Sequence, residues 1–172
     1  MSTALALQAD LDRSILATGG RRVVFHCHHY NVFLQRTIEE GLKERAPALL
    51  TAAAMETARA VLNGLEASSP AGSPAAILAR AAELLSANGF GRADAGGLGV
   101  RGGEVEIHSS HYAVGWVSKW GQRPSPCCFF AAGWFAGAVA VAGGLAPERV
   151  DARETACLAA GADRCSFSVE VR

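Results

Sequence analysis

The sequence predicts an α+β fold: helices first, then an antiparallel sheet with one buried Gly/Ala-rich helix laid on it. Three observations point there. Apolar residues recur at helical spacing in the first half of the chain. After Gly89 the pattern changes to clustered glycines and a period of two, with Val105 and Ile107 alternating with Glu104, Glu106 and His108. The stretch from Pro124 to Pro147 then carries no charge and is dominated by Ala and Gly. At 172 residues the chain reads as a single domain, 1–172. A globule of that size buries roughly 70% of its extended surface, enough for a true core.

The elements follow in order. The opening MSTALALQADLDRSILATGG has no basic start and is broken by Asp10 and Asp12, so no export signal is read. Val32, Leu34, Ile38 and Leu42 mark a first helix, with Asn31 as its N-cap. A second, Ala-rich helix over about 48–65 gathers Leu49, Met55, Ala58 and Leu62 on one face. Ser68 to Pro74 is linker-like; Ser73 and Pro74 cap and open a third helix, which Asn88-Gly89 ends near residue 86. Tyr112–Trp120 reads as strand or a mixed segment, and about 128–141 as one more helix. Arg149–Glu154 and Cys165–Val171 read as two short strands around a turn at Gly161.

Composition removes several classes of function. Sixteen Lys and Arg balance sixteen Asp and Glu, and no basic stripe is visible, which argues against a nucleic-acid partner. Half the residues are hydrophobic, which argues against disorder. The uncharged Pro124–Pro147 stretch is long enough to span a bilayer. Gly133, Gly137, Gly143 and Gly144 make its transfer energy modest, so it is read as a helix buried in a compact or dimeric core, with no membrane partner. The expected location is cytoplasmic, where cysteines serve as ligands or reactive thiols more than as disulfides. Ala-rich helices in the first ninety residues bury best against a like partner, which predicts a homodimer.

Chemistry concentrates where the five Cys and five His fall, in four short stretches. Glu154, Cys157 and Cys165 flank the Gly161 turn, and a hairpin mouth brings such thiolates within a few ångströms. A fourth ligand from Cys127 or Cys128 would complete three thiolates and one carboxylate, a set suited to zinc. A second cluster is His26-Cys27-His28-His29, following Val23-Val24-Phe25. It reads as a second metal site, a polar pocket lining, or a Cys27 nucleophile with His28 as base; the plainer reading is a hydrogen-bonded segment before a helix. At least two of these side chains are expected to point into a cavity shared with Trp116, Trp134 or Phe135, because the preceding apolar run should carry them inward. His108-Ser109-Ser110-His111-Tyr112 offers His111 as a further pocket residue, or else an exposed sheet edge.

The segment from about Trp120 to Val171 resembles the 4-vinyl-reductase domain. The matching residues are Trp120-Gly121, Pro126-Cys127-Cys128, Gly133-Trp134 with Gly137, and Glu154, Cys157, Gly161, Cys165 and Phe167. The resemblance implies a core over 110–172 with a fold like aromatic-sensing domains of bacterial regulators and subunits of the TRAPP vesicle-tethering complex. It implies a structural zinc on Cys128, Glu154, Cys157 and Cys165, although the Cys128–Glu154 interval is a few residues longer than in the sensors. The function it implies is binding of a small apolar or aromatic molecule, with His26, Cys27, His28, His29, His111 and Trp134 as candidate ligand contacts. The competing expectation is a small enzyme, either a hydrolase or lyase built on Cys27 and His28 or an accessory factor in tetrapyrrole vinyl reduction. Gly96-Gly97-x-Gly99 lacks the context of a nucleotide-binding motif, which weakens the latter.

Overall fold

The computed structural model describes residues 7–18, 21–24 and 26–172. It is α+β, with a small antiparallel sheet ahead of the helices. Strands β1 (Leu7–Asp10), β2 (Ile15–Thr18) and β3 (Arg21–Val23) pair in that order. Helices α1 (His28–Leu42), α2 (Ala46–Ser68) and α3 (Pro74–Ala87) follow. The second sheet contains β4 (Ala93–Asp94), β5 (Leu98–Gly99) and β6 (Gly102–Ile107), then β7 (Val150–Ala156) and β8 (Cys165–Val171). Its order is β4-β6-β8-β7, with β5 beside β6. Between β6 and β7 the chain forms α4 (His111–Trp120) and α5 (Phe129–Gly143).

Helix α5 is the centre of the molecule. It packs against α2 and α3 on one side and β7 and β8 on the other, so every residue from Ala131 to Ala140 is buried. A helix covered on all sides needs no polar face, and its uncharged sequence is therefore that of a core element. Its glycines let α2 come close. A Cβ on Gly133 would lie 2.0 Å from the Thr51 carbonyl oxygen, and one on Gly137 would lie 2.6 Å from that of Met55. No helix among the described residues is long and apolar enough to cross a membrane.

The third helix forms as expected: Ser73 Oγ accepts from Ala76 N, and Pro74 occupies the first turn. Two local expectations are corrected. Tyr112–Trp120 lies in a helix, because Ser110 Oγ caps it by accepting from Ala113 N. The N-cap of α1 is Cys27, and Asn31 lies inside that helix, where its amide meets His111.

Candidate metal centre and the cavity beside it

Three elements bring four ligand-type residues together. Cys128 is the N-cap residue of α5, Glu154 lies on β7, and Cys157 and Cys165 bracket the β7–β8 turn. That turn tightens through a 3-10 segment, Leu158–Ala160, and closes at Gly161, whose φ of 94° favours a residue without Cβ. Opposite Ser166 the register of β7 shifts between Glu154 and Ala156. A bulge of this kind re-aims side chains at a strand end, here next to Glu154.

The ligand atoms of Cys128, Glu154, Cys157 and Cys165 all lie within 4.8 Å of one another, and the Cys128 and Cys165 sulfurs are 3.5 Å apart. Tetrahedral zinc with bonds of about 2.3 Å to sulfur places its ligands roughly 3.8 Å apart, so the cluster has the right size. Cys127 is buried too, 3.9 Å from Cys157 Sγ, but does not belong to the four-residue group.

The donor chemistry fits a cation. Glu154 Oε2 accepts from the Cys128 backbone N–H at 2.7 Å, whereas Oε1 is buried and has no hydrogen-bond partner among the described residues. An orphaned carboxylate oxygen facing three sulfurs is the deficit that a metal ion relieves. Burial raises the Glu154 carboxyl to about 7, with the nearby Cys157 sulfur adding to the shift. Burial likewise pushes the Cys128 thiol well above its ordinary value. For Cys165 the Cys128 contact lowers the value, but Cys157 and burial outweigh it and the thiol is raised. Cys157 moves the other way, because Cys127, Cys128 and Cys165 all converge on its sulfur and stabilise the thiolate. Ser110 Oγ lies 3.0 Å from Cys128 Sγ, and the Leu158 N–H donates to Cys165 Sγ at 3.4 Å, so polar groups outside the four also brace the sulfurs.

A network ties α1 to the loop that carries the centre. Buried Gln35 donates to the Cys127 carbonyl at 2.9 Å and to Glu39 Oε1 at 2.8 Å. Glu39 in turn pairs with both terminal nitrogens of Arg123, whose guanidinium lies 4.1 Å from the centre of the Trp116 ring. Beyond Ser110, an aromatic tier runs through Phe90, His111, Tyr112, Phe130 and Trp134, with Phe90 and Phe130 stacked at 4.3 Å.

The other expected site residues are dispersed. His26, Cys27 and His29 are exposed, and His26 stacks on Tyr30 at 4.6 Å; the His28 side chain and Phe25 lie outside the described residues. The expectation that this cluster turns into a cavity with Trp116, Trp134 or Phe135 is therefore corrected. Val24, the residue expected to carry it inward, is itself 69% exposed, and the cluster forms the outward first turn of α1. His111 is half-buried in the aromatic tier, not on a sheet edge. Trp134 is buried and its indole N–H is already used by the Ala81 carbonyl, at 2.9 Å. Sequence reasoning missed Gln35, Glu39, Ser110 and Arg123. Of these only Ser110 has a local signal, as a capping residue ahead of an apolar run.

Comparison with known proteins agrees with this geometry. Residues 106–171 match the family model of the 4-vinyl-reductase domain. Among solved structures, the phenol-responsive sensory domain of the transcription activator PoxR, crystallised with phenol, superposes with a TM-score of 0.79. That likeness covers 96% of this chain and 84% of the other at 18% sequence identity, which establishes a shared fold. No curated protein matches the chain in sequence. The four-residue cluster thus lies inside the part of the chain that is similar to the 4-vinyl-reductase domain family, on a fold shared with an aromatic-responsive sensory domain.

Proposed function

We propose that this chain is a binding module for a small apolar or aromatic molecule, clamped by one structural zinc and acting as a cytoplasmic homodimer. The observation that carries the reading is the orphaned Oε1 of Glu154 among three buried sulfurs, joined through Ser110 to a tier of aromatic rings. Cys128, Glu154, Cys157 and Cys165 would hold the ion. Four protein ligands leave no position for water or substrate, so the ion supplies folding free energy and not chemistry. The chain's own residues then do the rest. Ser110 and the Leu158 N–H orient two sulfurs, Glu154 bridges β7 to the start of α5, and Gln35 and Glu39 hold α1 against the same loop.

Dimerisation is supported by the large apolar side chains that α1 and α2 leave at the surface: Tyr30, Phe33, Leu34, Leu42 and Leu49 are all exposed. A two-fold contact through these helices would cover them. All five cysteines are free thiols, in keeping with a reducing compartment.

Native mass spectrometry of protein purified without chelator tests the reading in one measurement. The expected result is a dimer with one zinc per chain, and added phenol raising the melting temperature. Metal-free monomers whose melting responds to neither zinc nor phenol would overturn it.

A further inference from the structure

Helices α1 and α2 do not close on one another. Between them, with α4 and α5 behind, lies a cavity of about 150 Å³. It exists because α2 presents Ala53 and Ala54 where α1 presents Leu34 and Ile38, and because α1 is held by its ties to the metal loop through Gln35 and Glu39. We infer that this cavity, between α1 and α2, is where the small molecule sits, and that Asn31 selects a single ring bearing one hydrogen-bonding group. The inference rests on the small-molecule reading above and adds to it the place and the specificity residue.

Size, lining and polarity each support the assignment. An apolar cavity of about 150 Å³ accepts one benzene ring and little more. Leu34, Ile38 and Leu50 supply aliphatic walls, and Phe130 and Tyr112 supply aromatic ones. Three other polar side chains also line it. Two of these are engaged elsewhere: Gln35 Nε2 donates to Glu39 and the Cys127 carbonyl, and Thr57 Oγ1 donates to the Ala53 carbonyl. The third, Tyr112, stands in the aromatic tier. Asn31 Nδ2 lies 3.3 Å from His111 Nε2, which fixes the amide plane, and the group still carries a carbonyl oxygen and a second N–H. A polar group held by a second side chain is how a mostly apolar pocket distinguishes ligands of equal size.

The larger hollows suit a neutral ring less well. The groove of about 980 Å³ between α2 and β7 is rimmed by Lys43, Glu44, Glu56 and Arg153. The depression of about 670 Å³ beside α3 carries Glu83, Arg92 and Asp94. A single ring in either would leave much of its surface in water.

Two neighbouring residues of α2 make the test. Ala53 lines the cavity and Ala52 lines the large groove, and both are exposed alanines of the same helix. Calorimetric titration of the zinc-loaded full chain with phenol and with toluene should show both rings binding. Ala53→Trp, whose indole is as large as the ring it displaces, should weaken both at least ten-fold, while Ala52→Trp leaves them within two-fold. Asn31→Leu should lower the phenol-to-toluene preference about ten-fold, the worth of one hydrogen bond, without weakening toluene. Unchanged binding in Ala53→Trp, or a loss seen only in Ala52→Trp, overturns the location. Equal weakening of both rings in Asn31→Leu overturns the selecting role of Asn31. If wild type binds zinc but neither ring, the small-molecule reading itself falls, an outcome distinct from a site placed elsewhere.

Discussion

Adding one methyl group at Gly133 should separate the two helices at the heart of the fold. In Gly133→Ala the new Cβ would meet the Thr51 carbonyl oxygen at 2.0 Å, the Ala54 Cβ at 2.7 Å and the Met55 nitrogen at 2.9 Å. All three are inside the 3.0 Å that Cβ contacts respect, and none belongs to a flexible side chain. Relief therefore requires α2 to move by about an ångström away from α5, opening contacts along the whole interface. Overpacking of this kind costs about 3 kcal/mol when nothing flexible can yield. Replacing a helical Gly by Ala returns about 1 kcal/mol, which leaves a net loss of about 2 kcal/mol. For a domain of this size that lowers Tm by roughly 4–8 °C. Gly41 supplies the control, since it is helical but has nothing within 4 Å of its Cβ position. Gly41→Ala should keep only the propensity gain and raise Tm by a few degrees. Scanning calorimetry of the two variants in the metal-loaded form decides the matter. An unchanged or raised Tm in Gly133→Ala would refute the close-packed description of α2 on α5.

Cys157→Ser should lose the metal and melt earlier, whereas Cys127→Ser should retain one zinc per chain; equal metal loss in both, measured by elemental analysis, would contradict the four-residue set. Zinc affinity should rise with pH, because Cys128 and Cys165 are held protonated, Cys157 is not, and Glu154 titrates at about 7. Loading then releases two protons above pH 7 and approaches three below it, so log affinity should climb about 2 per pH unit above neutrality and more steeply beneath; chelator competition from pH 6 to 8 that gives a flat line would refute the charge assignment. Gln35→Ala leaves the buried Cys127 carbonyl without its donor, a loss of about 1–3 kcal/mol. Hydrogen exchange should then rise across α1, and exchange unchanged there would dismiss the tie to the metal loop.

Much of this architecture is legible in the residues, for identifiable reasons. Helices α2, α3 and α5 carry local signals of their own: Ala-rich periodicity, the Ser73-Pro74 start, and an apolar run too long for a strand. The Glu154, Cys157 and Cys165 spacing is equally local, because a hairpin turn fixes how near such residues come. Helix α4 is not legible in this way. Tyr112, Val114 and Trp116 alternate as a strand would, and the deciding feature is the Ser110 cap, whose side chain is held against Cys128 from another part of the chain. The His26–His29 cluster misleads for the opposite reason. Its composition suggests a pocket, but nothing local reveals that β1–β3 pair among themselves and leave Val24 at the surface. Glu39 and Arg123 are 84 residues apart, and no pattern in either segment predicts that they meet.

The position of α5 at the centre has a bearing on the order in which the protein is made. A ribosome releases this apolar helix before β7 and β8, the two strands that cover its sheet-facing side and carry three of the four candidate metal ligands. For that interval the nascent chain holds an uncharged helix with only α2 and α3 to shelter it. The Gly133 and Gly137 notches let α2 seat closely on it before the sheet is complete. Metal capture then comes last, since no three of the four ligands coexist until Cys157 has emerged, and the clamp closes on a core already assembled.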